Sequence, residues 1–522
     1  VSTQHTHPAD EREIRRLVSD WRSGRATKTL WEAIQDGYVV VLSVLVIGAM
    51  LVALVVRAQG AAAGCTEAGC QSARTLLPFA VLAGALALAA AVARLFGPVL
   101  ASAAEGFWIF DAPLNRARLL RGRLVAGVLL ALVVGALAGA LVAALTGSSA
   151  VLIAAWAVAT GLAAAGMVAF AAAEQGLERG WITRTAVLLF TVLAVAALVV
   201  VVGIAAGWFG LTLTNDRELL VTVVVAVAGL VLLLVAGAIA LRRLNQIRRA
   251  RLVSGGSLVS GMAGAMYALD LGLARDIVVE RRAVERGHVR PRKGGGLGLA
   301  ALVRRDLQRL LRTPTAFGPV VATMVVPYAC VALGFGNFTP MISALALFGA
   351  LVPLMGTLRV LTRTVGLARC LPFSGPELRQ ASLVVPGIAA LIWAIVTMPA
   401  LLSLGNAVTD VLPTGLITAI AGLLGATRWT AAKPIDFGQP MLATQAGALP
   451  PGMLANLVRG FEVTLLITAP VVFGGHWLIA AVIAAIVFWF VMGNFDMQAL
   501  QEQQEQQKQE LAKAKAERNR RR

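Results

Sequence analysis

Apolar runs about 20 residues long recur along the chain, separated by short polar stretches in which arginine is the commonest charged residue. A helix needs about 20 residues to cross a hydrocarbon core, and a window of about 19 finds such runs repeatedly. They fall near 38–57, 76–96, 124–146, 149–172, 185–207, 219–241, 316–336, 341–360, 384–403, 411–426, 455–473 and 476–493. The pattern predicts an all-α polytopic integral membrane protein with about 12 transmembrane helices. The tenth and eleventh runs are the least regular. Between them Arg428 to Pro451 is rich in proline, glycine and polar residues, and Arg459 and Glu462 stand close to the eleventh apolar stretch.

Composition strengthens this reading. Of 522 residues, 58% are hydrophobic and 14% charged, with a mean hydropathy of +0.79. A soluble chain averages about 45–50% apolar and about 25% charged. A soluble enzyme, a secreted disulfide scaffold and a disordered tail protein are excluded. The net charge of +19 would suggest nucleic acid in a soluble protein, but here its placement points to topology and no nucleic-acid partner is expected. If alternate connections face the cytoplasm, 42 of the 46 Lys and Arg residues lie inside, over 1–37, 105–123, 174–184, 242–313, 359–383, 427–459 and 494–522. The positive-inside rule then predicts a multi-pass plasma-membrane protein with both termini cytoplasmic.

The exceptions are Arg57, Arg74 and Arg217 at external ends, and Arg94 in the second span. A rise of about 1.5 Å per residue puts Arg94 near the inner interface, where snorkelling is preferred over a charge facing a pathway. Arg359 lies at a similar depth in the eighth span. The polar, mixed-sign first 37 residues lack the features of a signal peptide.

The apolar runs also repeat as a set. Each half has a basic lead-in, a span, an external loop, a second span, a basic loop containing proline, and a third span. Pro113-Leu114-Asn115 with Leu119 and Leu124 matches Pro372-Phe373-Ser374 with Leu378 and Leu383 at a constant offset of 259. The lead-ins correspond too. Trp31 to Tyr38 follows Arg22, Arg25 and Lys28, while Leu302 to Leu311 interleaves Leu302, Val303, Leu307, Leu310 and Leu311 with Arg304, Arg305, Arg309 and Arg312. The second has the spacing of a helix lying in the membrane interface. Two parallel six-helix repeats are therefore expected.

The predicted organisation is 1–37 as an N-terminal cytoplasmic segment with its lead-in, 38–241 as the first six-span unit and 242–301 as a basic linker. Residues 302–493 form the second lead-in and unit, and 494–522 a polar tail. The joining region 242–313 carries sixteen Lys or Arg residues, with turn signals at Gly255-Gly256 and Gly294-Gly295-Gly296 and one helix expected over about Met262 to Arg286. Its charge suits an anionic inner-leaflet surface of the lipid bilayer.

Catalytic chemistry is not signalled. No lysine stands in a Gly-x-x-x-x-Gly-Lys-Ser/Thr loop, so no P-loop is expected to bind ATP in this chain. His5, His7, His288 and His476 are too scattered for a metal cluster, and no metal or cofactor is expected. The predicted span cores are nearly free of Asp, Glu, Lys and His, which argues against ion-coupled transport and charge-ringed pores. Asp111, Asp410, Asp436 and Glu462 are isolated and read as interfacial acids or helix caps. Cys65 and Cys70, in the first external loop, are the favoured disulfide from compartment and spacing. Cys330 and Cys370 read as free thiols.

At Phe110-Asp111-Ala112-Pro113-Leu114-Asn115-Arg116-Ala117-Arg118-Leu119 the chain resembles the cytoplasmic loop of type-2 ABC exporter permeases. Cys370-Leu371-Pro372-Phe373-Ser374-Gly375-Pro376-Glu377-Leu378-Arg379 is similar to a second, less basic copy. The whole resembles actinobacterial membrane proteins in which two six-span permease units are fused. The resemblance implies an interfacial elbow helix before each unit, the second carrying Arg304, Arg305, Leu307, Arg309, Leu310 and Arg312. It also implies coupling helices at Asp111, Ala112, Pro113, Leu114, Asn115, Arg116 and Arg118, and at Leu371, Pro372, Phe373, Ser374, Gly375, Glu377 and Arg379. A separately encoded ATP-binding subunit, itself holding ATP and Mg, would dock there and drive export of a hydrophobic or amphipathic compound. This chain would then be no enzyme itself. A non-transporting scaffold or regulatory subunit is the alternative, then a secondary transporter; a homodimer is left open.

Overall fold

The structure, a computed structural model, describes Arg16, Asp20 and residues 30–63, 68–110, 115–177, 179–205, 215–287, 294–332, 335–402, 408–432, 442–444, 447–449 and 456–493. Among these, nine helices are long and apolar enough to cross a membrane: Arg74–Phe96, Arg116–Leu145, Ala150–Leu177, Gly180–Ile204, Asp216–Gln246, Pro314–Val331, Gly336–Arg363, Gly375–Leu402 and Thr409–Thr430. Three shorter apolar helices, Leu45–Arg57, Phe461–Val472 and Trp477–Met492, fall on the remaining predicted runs. The protein is an all-α polytopic membrane protein. Its described strands are β1 (Leu442–Thr444) and β2 (Gly447–Leu449), an antiparallel pair with Leu442 opposite Leu449.

The chain divides into two compact units, residues 1–263 with 332–334 and residues 264–331 with 335–522. The first carries α1 (Leu30–Ala63), α2 (Ala68–Phe96), α3 (Ala103–Trp108), α4 (Arg116–Leu145), α5 (Ala150–Leu177), α6 (Gly180–Ala205), α7 (Asn215–Arg243) and most of α8 (Arg249–Tyr267). Its centre is α5, which packs on α4, α7 and α2. Small residues permit this. A Cβ on Gly139 of α4 would meet the Trp156 carbonyl oxygen at 2.5 Å and Thr160 Oγ1 at 2.6 Å, and one on Gly166 of α5 would meet the Gly229 carbonyl oxygen of α7 at 2.9 Å. Lipid supplies no hydrophobic drive between spans, so close van der Waals contact of this kind holds them together.

The second unit continues with α9 (Leu271–Arg286), α10 (Gly298–Leu311), α11 (Gly318–Thr323), α12 (Val326–Ala332), α13 (Thr339–Leu351), α14 (Gly356–Arg363), α15 (Val365–Arg369), α16 (Gly375–Leu402), α17 (Val408–Thr430), α18 (Phe461–Val472) and α19 (Trp477–Met492). Here α17 is central and packs on α16, α13, α18 and α19. Much of the pairing of spans is shared with the first unit. In both, the second span packs on the third, fourth and fifth, the fourth on the third, fifth and sixth, and the first on the third. The second unit in addition packs α11 on α13 and α18 on α19, pairings with no counterpart of that extent in the first.

Local details differ from expectation. The first lead-in does not stand apart from its span, because α1 runs unbroken from Leu30 to Ala63. The joining region holds two helices rather than one over Met262 to Arg286. The chain breaks after Tyr267 with Leu269 at φ 50, and Asp270 caps α9 by accepting from the Leu273 amide at 2.9 Å. Gly255-Gly256 is no turn: both glycines lie inside α8, where a Cβ on either would run into the backbone of Phe96 or Ala101.

Candidate functional site

The loops between second and third spans were the candidate sites, so the basic end of each second span is the region of interest. In the first unit α2 ends at Phe96, and Gly97 follows at φ 88, a left-handed conformation suited to glycine. The extended chain after it is held by its neighbours. Gln175 of α5 donates from Nε2 to the Val99 carbonyl at 3.1 Å and accepts the Val99 amide at 3.3 Å. Arg123 of α4 donates to the Leu100 carbonyl at 2.5 Å, and Arg251 of α8 to the Arg94 carbonyl at 2.8 Å.

Helix α3 follows at once, closed by a Ser102–Glu105 capping box. Arg123 also reaches Glu105 at 2.6 Å. Burial works against the charge on Glu105, but hydrogen bonds from Arg123 and Ser102 outweigh it and hold the carboxyl below its ordinary range. Phe107 and Trp108, at its end, are both exposed and meet edge to face at 5.0 Å, and Arg249 lies over the Phe107 ring at 5.9 Å.

Of the first predicted coupling segment, Asp111, Ala112, Pro113 and Leu114 lie outside the described residues. Asn115 caps α4 by accepting from the Ala117 amide at 3.2 Å, an amide that Asn245 Oδ1 also accepts at 2.7 Å. Arg116 turns back to the Phe110 carbonyl at 2.9 Å, and Arg118 is exposed.

In the second unit the second span does not end cleanly. After α13 the residues Val352–Met355 tighten into a 3-10 turn containing Pro353, before α14 resumes. A proline lacks the amide that continues a helix. Two carbonyls of this turn are taken by arginines: Arg275 of α9 donates to Val352 at 3.0 Å, and Arg309 of α10 to Leu354 at 2.9 Å. Asp306, almost wholly buried, accepts from Arg309 at 2.9 Å and from the Thr357 hydroxyl at 2.6 Å. Arg359 pairs with both oxygens of Asp276 at 2.7 and 3.2 Å and donates to the Thr430 carbonyl at 3.3 Å. Burial, then the neighbouring Arg359, pushes the Arg275 guanidinium down to about 10, against the pull of Asp276. It remains charged at neutral pH.

The second predicted segment follows α15. Leu371 and Phe373 are half-buried, while Pro372, Ser374 and Gly375 are exposed. Glu377 accepts from the Ser374 amide at 2.7 Å and hydroxyl at 2.9 Å, closing the start of α16. Arg379 turns inward, donating to the Val491 and Gly493 carbonyls at 3.0 Å each. In the second lead-in, Val303, Asp306 and Leu310 face the unit's core, whereas Leu307 and Leu311 are exposed. Arg304, Arg305 and Arg312 are exposed as well. Each candidate loop therefore begins with a short helix, α3 or α15, and ends in a side-chain-capped third span.

A model for a family of unknown function, DUF6297, matches residues 70–440. The chain belongs to the DUF6297 family. The match runs from the second span through the tenth and covers both candidate loops. No curated protein and no solved structure matches the chain.

Sequence reasoning missed three features of this DUF6297 member. Asp306 was passed over because an acid among arginines reads as solvated. The partner of Arg359 is 83 residues away in sequence. Glu218 was placed just outside the sixth span, but α7 starts at Asn215 and the carboxyl is buried, accepting the Trp156 indole N–H at 3.0 Å. Only the rarity of intramembrane acids would have signalled it. Glu462, read as isolated, pairs with Arg428 at 3.5 Å, both half exposed. Cys330 and Cys370 are free thiols; Cys65 lies outside the described residues, as does the side chain of Cys70. Among the described residues no group of three or more His, Cys, Asp or Glu is placed to hold a metal.

Proposed function

We propose that this chain is the membrane-spanning permease subunit of an ABC exporter, with both termini and the basic end of its spans in the cytoplasm of a bacterial plasma membrane. A separately encoded ATP-binding subunit would supply the energy, with ATP and Mg bound there. The observation that carries the proposal is the repeated design of the two loops. In the first unit, arginines from neighbouring helices hold the last turn of the second span and the chain just after it, with α3 next; in the second, arginines hold the 3-10 turn within the second span, and α14 carries on from that turn to α15. A force applied to α3 or α15 would reach the second span through a few hydrogen bonds instead of being lost in a slack loop. The exported substrate would be a hydrophobic or amphipathic compound.

The test is affinity purification from native membranes in mild detergent. An ATP-binding polypeptide is expected in stoichiometric amount, lost when 111–118 or 371–379 is scrambled in a chain that still folds. Purification of the folded chain alone would refute the proposal.

One observation favours a second reading. The buried Glu218, held by Trp156, is a titratable group inside a span, as proton-coupled transporters require. In that case Glu218→Gln would abolish transport driven by a pH gradient, whereas an ATP-driven exporter would keep its ATP dependence in the same variant.

A further inference from the structure

Helices α9 and α10 close on the broken second span of the second unit, and each does so with one arginine and one aspartate. From α9, Arg275 donates to the Val352 carbonyl at 3.0 Å and Asp276 accepts from Arg359 at 2.7 and 3.2 Å. From α10, Arg309 donates to the Leu354 carbonyl at 2.9 Å and Asp306 accepts from the Thr357 hydroxyl at 2.6 Å. Thr357 and Arg359 stand two residues apart, on opposite sides of α14, so the two helices grip it between them. Glycine seats both guanidiniums. A Cβ on Gly272 of α9 would meet Arg359 Nη2 at 2.7 Å, and one on Gly356 of α14 would run into Arg309 Nη1.

The grip straddles the weak point of the span. Pro353, inside the 3-10 turn, has no amide with which to carry the helical ladder across. The second span of the first unit has no such break, since α2 is continuous from Ala68 to Phe96. The two gripping helices are anchored differently. Helix α10 packs on α16 and buries Leu310, whereas among the described residues no helix lies broadly against α9. Asp276 is 39% exposed, so water can replace Arg359 as its partner when α9 lifts.

We propose that Val352–Met355 is a hinge and that α9 is a releasable strap locking it, with α10 as the fixed side of the clamp. With the strap in place α14 keeps one angle to α13; with the strap released, α14 and the α15 that follows it swing about the turn. The inference is independent of the transport reading.

The experiment uses the full chain in lipid nanodiscs, with spin labels carried by genetically encoded residues at position 367 in α15 and position 420 in α17, both exposed. Helix α17 packs on α13, so position 420 serves as the fixed reference. Double electron–electron resonance of the otherwise unaltered chain should give a single distance. Arg275→Gln/Asp276→Asn cuts the ties of the strap, and Gly272→Ala displaces the Arg359 guanidinium while keeping every charge. Each should bring up a second distance in roughly a tenth or more of the molecules. Pro353→Ala supplies the missing amide and should remove the second distance from both variants. Glu280→Gln/Arg282→Gln, an exposed pair on α9, should leave the single distance unchanged. Should the double variant fail to fold, Gly272→Ala decides alone. One unchanged distance in the folded strap variants would overturn the proposal, as would a second distance in the unaltered chain or in the Glu280/Arg282 control. Persistence of the second distance with Pro353→Ala would overturn it too, because the bend would then lie elsewhere.

Discussion

The two units share much of the pairing of their six spans yet build them differently, and proline marks the difference. Three of the chain's twenty prolines fall in 38–241 and fifteen in 302–493. In the first unit α1, α4, α5 and α7 run unbroken, and glycines bring α4, α5 and α7 into backbone contact. In the second, the first span is divided into α11 and α12 and the second into α13, a 3-10 turn and α14. At the second of those breaks Arg275 and Arg309 take up the Val352 and Leu354 carbonyls, and from the divided first span the Tyr328 hydroxyl donates to the Val396 carbonyl of α16 at 2.7 Å. Close glycine contact serves the second unit as well, where a Cβ on Gly425 would meet the Gly460 carbonyl oxygen at 2.9 Å and one on Gly460 the Gly425 carbonyl oxygen at 2.7 Å, but there hydrogen bonds across broken helices are added to it.

The strongest way to break this contrast is at the interface of third and fourth spans. In the first unit Gly139→Ala drives a methyl into backbone oxygen of α5 and should cost on the order of 3 kcal/mol. At the same interface in the second, the nearest atom to a Cβ on Gly387 is Leu423 Cδ2 at 3.9 Å, so Gly387→Ala should be neutral or slightly stabilising. Thermal unfolding of the detergent-solubilised protein measures both. Next comes Arg359→Ala, which strands Asp276 and the Thr430 carbonyl. Asp276 is 39% exposed, so the expected cost is about 2 kcal/mol, below that of a fully buried pair. Hydrogen exchange should rise across α9 in that variant; unchanged exchange there would mean the pair does not hold α9.

Smaller effects sharpen the picture. Tyr328→Phe removes one hydrogen bond and should cost about 1 kcal/mol, read as a lowered unfolding midpoint. Glu105→Gln tests the grip on the first unit's loop. The Glu105 carboxyl is held below its ordinary range, so its contribution is present above the unfolded-state value of about 4.3 and is lost as pH falls through the folded-state value. The gap between the original protein and the variant should be about 1 kcal/mol or less, flat above about pH 5, and vanish on acidification.

How much of this was legible follows from what each feature depends on. Spans were legible because crossing a membrane imposes length and hydropathy on contiguous residues, and the repeat because a proline-containing loop recurs at a fixed offset. Gly255-Gly256 was misread because glycine serves both a turn and a close backbone approach, and only the neighbouring Phe96 to Ala101 segment decides between them. The lead-in Leu302 to Leu311 was read by its leucines, while the face it buries contains Asp306, whose partners Arg309 and Thr357 satisfy one of its oxygens. Arg359 and Asp276, or Glu218 and Trp156, meet only through tertiary packing, over separations that no periodicity reports.

The claim that both loops receive force from an ATP-binding partner is tested most directly by photo-crosslinking in native membranes, with the reactive residue placed at Trp108, at Pro372 or, as a control, at the exposed Leu137 within α4. The account predicts adducts with one ATP-binding polypeptide from Trp108 and Pro372 and none from Leu137. No adduct from either loop in a normally folded chain, or the same adduct from all three positions, would contradict it.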